Sequence, residues 1–369
     1  PKAGTVFSSE QVLAAEDRLL AASNDRSAPT VPLAWIEDAA RTRNRDGHTL
    51  SVDQEQAIAK IGVSGRVLDV LVGPAGTGKT TAMSALRTAW ETVYGPGSVV
   101  GLAPSAVAAQ VLADDLGIET ENTAKWWQNH LDHGATFAGD QLVILDEASL
   151  AGTLSLDRIT QLAATAGAKV LLVGDYAQLQ SVEAGGAFKL LAGEIADVPE
   201  LTGIHRFSAE WEKLASLDLR HGRPGVLDSY EEHERILGDD TEVIEEAAYQ
   251  AWATDRAAGH TSILIAEARD TVTRLNLRAR ADLALAGIID ASGVEVELHD
   301  GNRASAGDLI LTRKNDRRIR SMFSWVRNGV LWEVVNVRPD GSLTIRQPGQ
   351  TRGALVLPAA HVAEHVELG

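Results

Sequence analysis

A glycine-rich segment that ends in a lysine and two threonines is the clearest candidate for chemistry in this sequence. Gly73-Pro-Ala-Gly-Thr-Gly-Lys79-Thr80-Thr81 follows an apolar stretch and precedes a helical pattern, which are the spacing and the context of a phosphate-binding P-loop. In such a loop, backbone N–H groups surround phosphate at a helix N-terminus, the lysine supplies positive charge and a hydroxyl faces Mg²⁺. A chance glycine-rich turn is the alternative. We predict a site for ATP and Mg²⁺ formed by Gly73, Pro74, Ala75, Gly76, Thr77, Gly78, Lys79, Thr80 and Thr81.

Two adjacent carboxylates, Asp146 and Glu147, follow a second apolar stretch. In nucleotide hydrolysis one carboxylate can hold the water shell of a metal while the other polarises the attacking water. We therefore assign Asp146, together with Thr80, to the metal and Glu147 to the role of general base. Such a pair by itself is more often a solvated strand end or a helix cap. The P-loop upstream favours the catalytic interpretation.

Two glutamines are further candidates for nucleotide recognition. Gln178 follows a third apolar stretch, where an uncharged amide can sense a γ-phosphate. Gln54 lies upstream of the P-loop, and its amide has the donor and the acceptor that the edge of an adenine requires. The alternative for Gln54 is an exposed side chain on a helix that Ser51 caps.

These residues need a parallel sheet to bring them together. From residue 50 to about residue 203, short apolar stretches alternate with helical patterns, which predicts βα units. The candidate side chains follow the carboxyl ends of the predicted strands, where parallel sheets carry ligands. The predicted strands are 68–72, 99–103, 142–145 and 170–173.

The flanking regions have different patterns. Helical patterns at 10–24 and 35–42 precede the βα units, and residues 204–260 are mostly helical. A further strand is predicted at 262–265, before another helical pattern. After Gly301 the apolar period becomes two, which predicts a small β module with strands at 308–312, 331–335 and 342–346 and a hairpin turn at 339–341.

Composition excludes several classes of protein. The 369 residues carry a net charge of −17, which argues against a protein that coats nucleic acid by general positive charge. No cysteine is present, so disulfides, thiolate metal sites and cysteine nucleophiles are excluded. No apolar stretch approaches the roughly 20 residues of a membrane helix, and the N-terminus has no secretory signal pattern. Because the chain begins without methionine, we expect it to be a piece of a longer protein.

Five segments together resemble the motifs of superfamily 1 DNA helicases of the RecD-like 1B branch. The glycine-rich segment is similar to motif I of that family, the acidic pair to motif II and the stretch holding Gln178 to motif III. Gln54 lies in a segment that resembles the Q motif, and Pro104 with Ser105 resembles motif Ia. Residues 178–188 are most like the helicase region of MobF-type conjugative relaxases, which nick plasmid DNA and then unwind it.

The resemblance implies an α/β fold in which a RecA-like P-loop NTPase parallel sheet precedes a partial second RecA-like lobe with an inserted SH3-like β module. It also implies five segments. They are an N-terminal helical arm at 1–46, the ATPase lobe at 47–205, a helical connector at 206–260, the start of the second lobe at 261–300, and the β insertion with a return strand at 301–369.

The resemblance also implies roles for residues outside the nucleotide motifs. Arg206 lies in a segment similar to one whose arginine reaches the γ-phosphate, and a surface ion pair is the alternative. Pro104, Ser105, Thr123 and Trp126, with the neighbouring Trp127, are candidates for binding single-stranded DNA, for which aromatic stacking on bases is suited. Tryptophans on a helix are more often part of a core.

The β module is the most basic part of the chain, with ten Lys and Arg against four Asp and Glu between residues 303 and 352. Arg313, Lys314 and Arg317 are predicted to contact DNA phosphates, which gives affinity without sequence preference. Solvated loop charges are the alternative. Arg318 and Arg320 belong to the same candidate surface.

The implied function is that of an ATP-dependent DNA translocase or helicase region, which moves single-stranded DNA, 5′ to 3′, in the bacterial cytoplasm with other conjugation proteins as partners. The family's motifs V and VI would follow residue 369. We therefore expect this chain to bind nucleotide and to hydrolyse it poorly. A nucleotide-binding module that binds DNA or a partner protein is the alternative. Nicking is not assigned, because the tyrosine and histidine cluster that it needs are not recognisable here.

Overall fold

The computed structural model of the chain describes residues 9–43, 47, 49–178, 186–290, 292–321 and 324–369. The chain divides into two compact units, Pro1–Tyr230 and Glu231–Gly369, which are described separately below. The finer division into five segments stays a prediction.

The first unit is built on a parallel sheet of five strands with the order β1-β5-β4-β2-β3. Four of the strands confirm the sequence prediction to within one residue at each end, because strands covered on both faces read as continuous apolar runs. The fifth, β3, was not predicted, since its sequence Glu-Thr-Glu-Asn is polar and it lies at the sheet edge. The strands are β1 (Leu68–Val72), β2 (Val99–Ala103), β3 (Glu119–Asn122), β4 (Leu142–Leu145) and β5 (Lys169–Gly174).

Helices cover both faces of this sheet. Alternate side chains along each strand enter two separate cores, so that Leu71 and Ile144 pack on one face and Val70 and Val143 on the other. The helices are α1 (Glu10–Asn24), α2 (Leu33–Arg41), α3 (Val52–Val63), α4 (Lys79–Tyr94), α5 (Ala106–Leu116), α6 (Thr123–His133), α7 (Thr153–Ala166), α8 (Ala187–Glu194) and α9 (Glu210–Arg220).

The N-terminal helices belong to these cores. Leu19 of α1 is 1% exposed and packs beside α7, where Arg18 also pairs with Asp157 at 2.7 Å. Ile36 of α2 is fully buried in the core of the opposite face. Both predicted helices are confirmed, and both help to hold the sheet that carries the candidate site.

The second unit confirms the predicted antiparallel β module. Its five-stranded sheet has the order β13-β12-β11-β8-β14 and encloses a core around the fully buried Trp332. Gly341, with φ +81°, lies in the predicted hairpin turn between β11 and β12. The elements are β6 (Val296–Glu297), β7 (Arg303–Ala304), β8 (Leu309–Thr312), β9 (Asp316–Arg320), β10 (Trp325–Val326), β11 (Val330–Val337), β12 (Leu343–Arg346), β13 (Leu355–Leu357) and β14 (Val366–Leu368), with helices α11 (Thr241–Ala257), α12 (Arg269–Leu285) and α13 (Ala359–His365). Helix α10 (Val226–Glu232) lies at the boundary of the two units.

The prediction of a strand at residues 262–265 is wrong. This segment has no regular structure, and Ile263 and Ile265 are 81% and 86% exposed. An apolar run forms a strand only where a neighbouring strand accepts its backbone hydrogen bonds. None of the described strands pairs with this segment.

Candidate nucleotide-binding site

The P-loop connects β1 to α4 and has the backbone geometry that its glycines allow. Gly76 and Gly78 have φ values of +84° and +77°, which residues with side chains rarely adopt. At Gly73 there is no room for a side chain, because a Cβ atom placed there would lie only 2.9 Å from Cγ of Lys79. The Lys79 ammonium donates a hydrogen bond to the Gly73 carbonyl at 2.7 Å, and the Thr77 hydroxyl donates to the Pro74 carbonyl at 2.9 Å. The loop is therefore formed and internally braced by its own side chains.

The three predicted catalytic segments meet at one edge of the sheet. The backbone N–H of Gly73 donates to the Gly174 carbonyl at 3.0 Å, which joins the P-loop to the end of β5. Gly174 also lies close to the segment just after the acidic pair: a Cβ atom placed on Gly174 would be 3.2 Å from the backbone nitrogen of Ser149. This contact follows from the strand order, because β5 lies between β1 and β4.

Asp146 and Glu147 follow β4 directly, as predicted. The Glu147 N–H donates to the Asp146 carboxylate at 2.9 Å, and Glu147 has φ +51°, an unusual value for a residue other than glycine. Such backbone strain is concentrated at functional sites. Burial raises the pKa of Asp146, and the nearby negative charge of Glu147 adds to this effect while Lys79 opposes it. A cation next to Asp146 would favour its charged form.

Thr80 and Asp146 fit the predicted Mg²⁺ site in their chemistry. Thr80 lies in the first turn of α4, immediately after Lys79, and Lys79 is close enough to Asp146 to influence its pKa. Mg²⁺ in nucleotide sites is commonly held by one or two protein oxygen ligands together with phosphate oxygens and water. A hydroxyl and a carboxylate are therefore sufficient donors from the protein.

Gln54 supports the P-loop instead of facing solvent. Its side chain is 4% exposed, and its Nε2 donates to the Thr77 carbonyl at 2.9 Å. Its Oε1 accepts from the backbone N–H of Ser51 at 3.0 Å. The alternative is wrong in making Gln54 exposed, because the P-loop covers the first turn of α3. It is correct that the helix is capped at Ser51, where the Gln54 side chain completes a capping box. A contact with adenine would require these bonds to be replaced, and it stays a prediction.

Arg206 lies directly against the P-loop. The neighbouring His205 N–H donates to the Gly76 carbonyl at 2.8 Å, and a Cβ on Gly76 would lie 2.5 Å from Cβ of Arg206. The arginine side chain is exposed, and the described residues form no ion pair with it. The surface ion pair considered from the sequence is therefore not found in the described part of the chain, and the position suits a guanidinium that contacts phosphate.

Asp53 holds the segment that leads to Arg206, a role that sequence reasoning missed. Its Oδ2 accepts hydrogen bonds from the N–H groups of Thr202 and Gly203, at 2.9 and 3.1 Å. Partial burial works against the negative charge, but the bonds from Ser51, Thr202 and Gly203 outweigh it and lower the pKa of Asp53 to about 2. An aspartate in the first turn of a helix is common, so no sequence signal singled it out.

Replacing Asp53 with asparagine is expected to lower the free energy of unfolding by about 1 kcal/mol, because charge-assisted bonds to two backbone N–H groups are weakened at a partly exposed site. The wild-type contribution is present above the unfolded-state pKa and disappears as the pH falls from about 4 towards 2, since the folded-state pKa is lowered. Urea unfolding at several pH values measures this. A difference between the two proteins that grew on acidification would contradict the assignment.

Gln178 lies at the end of the turn that follows β5. Its backbone N–H donates to the Asp175 carbonyl at 3.2 Å, and its side chain is exposed. Residues 179–185, which carry much of the resemblance to conjugative relaxases, lie outside the described residues. The γ-phosphate contact of Gln178 stays a prediction.

The candidate DNA-binding residues of the first unit are only partly brought together. Pro104, Thr123 and Trp127 line a groove of about 610 Å³ that also includes Leu150 and Arg158. The Arg158 guanidinium lies 5.1 Å from the Trp127 ring centroid. Sequence reasoning missed Arg158, because nothing in the pattern of α7 relates it to α6.

Trp126 and Ser105 have structural contacts of their own. The Trp126 ring stacks on Phe137 with centroids 4.3 Å apart and packs against the core, so the core alternative describes it well. The Ser105 hydroxyl caps α5 by accepting from the Ala108 N–H at 3.0 Å. DNA contacts by either residue stay predictions.

Several basic side chains of the β module have partners within the second unit. Arg313 pairs with Glu367, and the Lys314 ammonium lies 2.9 Å from Nε2 of His365. The Arg317 guanidinium lies 5.0 Å from the Trp325 ring centroid. Phosphate contacts by Arg313, Lys314 and Arg317 stay predictions, and the first two would have to exchange or share their present partners.

The described residues contain no cluster of three or more His, Cys, Asp or Glu side chains arranged to bind a metal ion. Among these residues, no helix combines the length and the apolar character that crossing a membrane requires.

Comparison with known proteins identifies the same segments. A family model described as an AAA domain matches residues 49–241, from just before α3 to the start of α11. A probable conjugal transfer protein TraA of Sinorhizobium fredii is 37% identical over 293 residues, which cover 78% of this chain and 25% of that protein. The ATP-dependent RecD2 DNA helicase of Deinococcus radiodurans is 34% identical over 169 residues, which cover 43% of this chain and 22% of that protein.

Among solved structures, a Pif1 helicase from Candida albicans is 15% identical to this chain, with a TM-score of 0.45. The match covers 84% of this chain and 79% of the Pif1 chain. The chain spans about a quarter of the length of the conjugal transfer relatives that it matches. The AAA domain match covers more than half of the chain and includes the P-loop, the acidic pair and Arg206. The chain therefore belongs to the AAA domain family, and its relatives confirm the resemblance to the superfamily 1B helicase region of conjugative relaxases.

Proposed function

We propose that this chain is the ATP-driven motor region of a DNA-transfer protein. In this proposal it binds ATP with Mg²⁺, hydrolyses it, and couples hydrolysis to movement along single-stranded DNA in the 5′ to 3′ direction. The observation that carries the proposal is the meeting of the P-loop, the acidic pair and the Arg206 segment at one edge of the sheet. The names of the relatives, a conjugal transfer protein and an ATP-dependent DNA helicase, support it.

In this proposal, six side chains from these segments have roles in phosphoryl transfer to water. Lys79 supplies positive charge to the β- and γ-phosphates, and Arg206 adds a second positive charge as negative charge shifts in the transition state. Glu147 orients the attacking water and accepts its proton. Thr80 and Asp146 would hold Mg²⁺, which neutralises phosphate charge when it is bound. Gln178 is proposed to sense the γ-phosphate through its amide.

The groove between α6 and α7 is the proposed DNA contact of the first unit. Trp127 offers an aromatic face that can stack on any base, and Arg158 adds a positive charge beside it. This combination suits a protein that must bind every sequence along a strand. We also propose that the protein acts in the bacterial cytoplasm with other conjugation proteins.

The two neighbouring tryptophans allow a matched comparison. Trp127→Ala is expected to weaken binding of an oligo-dT strand about tenfold, because stacking on one base is lost. Trp126→Ala is expected to leave that affinity within about twofold and to lower the free energy of unfolding by about 2 kcal/mol or more, because its contact with Phe137 and the core is lost. Fluorescence anisotropy and thermal unfolding measure the two effects. The opposite pattern would move the DNA contact to Trp126.

The coupling of nucleotide and DNA is tested by DNA affinity in different nucleotide states. A motor that moves along single-stranded DNA must bind the DNA with different affinity before and after ATP hydrolysis. We expect the affinity for oligo-dT to change at least about fivefold between ADP and a non-hydrolysable ATP analogue. Equal affinity in both states would contradict the motor proposal and favour a nucleotide-binding module without movement.

A further inference from the structure

The turn that carries Gln178 is held from outside by an arginine of α9. The carboxylate of Asp175 accepts the Ala177 N–H at 3.0 Å, which closes the turn. The same carboxylate accepts three bonds from the Arg220 guanidinium: Oδ1 accepts from Nε at 3.1 Å and from Nη2 at 2.9 Å, and Oδ2 accepts from Nε at 3.3 Å. Arg220 is the last residue of α9, whereas Asp175 directly follows β5.

This ion pair is buried and has further contacts. The side chains of Arg220 and Asp175 are 9% and 3% exposed. The guanidinium also lies 5.0 Å from the Tyr176 ring centroid and donates to the Glu200 carboxylate at 3.2 Å. Arg220 therefore contacts two consecutive residues of the turn and a third residue on another segment.

The Glu200 contact extends the link to the P-loop strand. Glu200 pairs with Val72 at the end of β1, and the next residue, Leu201, donates its N–H to the Val72 carbonyl at 2.8 Å. The segment that begins there continues to Arg206, which lies against Gly76. One guanidinium thus joins the Gln178 turn to the segment that leads to Arg206.

A buried ion pair is weak evidence for a purely stabilising role, since apolar residues of similar volume often stabilise as much. A guanidinium has the planar fork that fixes the direction of a carboxylate, which a hydrophobic contact does not provide. The arrangement therefore fixes the position of the turn relative to the C-terminal end of α9.

We infer that Arg220 is a positioning residue that holds the Gln178 turn and the Arg206 segment in place for recognition of the γ-phosphate, and that it links α9 to the nucleotide state. This inference rests on the proposed function, because it takes Gln178 and Arg206 to contact the γ-phosphate. It adds a residue outside the motif segments to the machinery that distinguishes ATP from ADP.

The experiment compares the affinities of ADP and ATPγS for the purified chain by isothermal titration calorimetry. Wild type is expected to prefer ATPγS. Arg220→Gln is expected to reduce that preference about tenfold while the ADP affinity stays within about twofold, because the P-loop itself is untouched. The matched control is Arg223→Gln, which breaks an exposed ion pair with Asp218 just beyond α9 and is expected to leave the preference unchanged.

If the Arg220→Gln variant fails to fold, Arg220→Lys is measured in its place. Lysine keeps the charge but loses the fork, so it is expected to reduce the preference for ATPγS by a smaller factor. Folded variants that keep the wild-type preference would overturn the inference, as would a wild type without any preference. Failure of the proposed function gives a different result, namely a wild type whose DNA affinity does not respond to nucleotide.

Discussion

Replacing Glu147 with glutamine is expected to lower ATP turnover by about 10²- to 10⁴-fold, the range that a positioned general base contributes. Glutamine has nearly the same shape but cannot accept a proton from water. Glu147 is the second residue after β4 and has a strained left-handed conformation that the fold maintains. Its position beside Asp146 leaves the P-loop and Lys79 unchanged, so nucleotide affinity is expected to stay within about threefold.

This prediction is checked by steady-state hydrolysis together with binding of a fluorescent ATP analogue. The control is Glu194→Gln, which alters an exposed carboxylate at the end of α8 in the same unit. Turnover of the Glu147 variant near the wild-type rate would remove Glu147 from the role of base. Loss of nucleotide affinity instead of turnover would assign it to binding.

Replacing Lys79 with alanine is expected to weaken ATP binding by at least about 100-fold, since a charge-assisted contact to phosphate is lost. The ammonium also bonds to the Gly73 carbonyl, so the variant loses one of the contacts that brace the P-loop. Lys79→Arg is expected to recover only part of the affinity, because the larger planar group does not replace a compact point charge at this position.

Isothermal titration calorimetry with ATP and Mg²⁺ measures the loss. Lys60→Ala is the matched control, because Lys60 is an exposed lysine in the last turn of α3. Its removal is expected to leave the affinity unchanged. Equal affinity of the Lys79→Ala variant and wild type would show that nucleotide binds elsewhere.

Local patterns predicted the elements that carry the site. Strands β1, β2, β4 and β5 are recognisable because strands covered on both faces are continuous apolar runs. The P-loop, the acidic pair and the turn with Gln178 each follow the carboxyl end of one of them. The edge strand β3 lacked that signal, and the apolar run at residues 262–265 gave a false one. A strand depends on its neighbours, which no local pattern specifies.

The supporting residues of the site were not predictable in this way. Asp53 bonds to Thr202 and Gly203 across about 150 positions of sequence, and Arg220 meets Asp175 from a helix of unremarkable pattern. Such contacts exist only after the sheet and its helices have packed. We infer that they help to position Arg206 and Gln178.

Burial also favours some of the alternatives that the sequence left open. Gln54 was considered either as a partner of adenine or as an exposed residue, and the structure buries it against the P-loop. The core alternative for the tryptophan pair applies to Trp126, whereas Trp127 lines the groove. Adjacent positions on one helix thus differ in their surroundings, because Trp126 packs against the core and Trp127 lines the groove.

The central claim is that this chain is a DNA-dependent ATPase, and the most direct test is ATP hydrolysis with and without single-stranded DNA. Lys79→Ala supplies the blank for contaminating activity. We expect a wild-type rate that is low without DNA, in keeping with the poor hydrolysis expected from the sequence, but above this blank, and that rises at least about tenfold when oligo-dT is added. A wild type that binds ATP but hydrolyses it no faster than the blank, with or without DNA, would contradict the account.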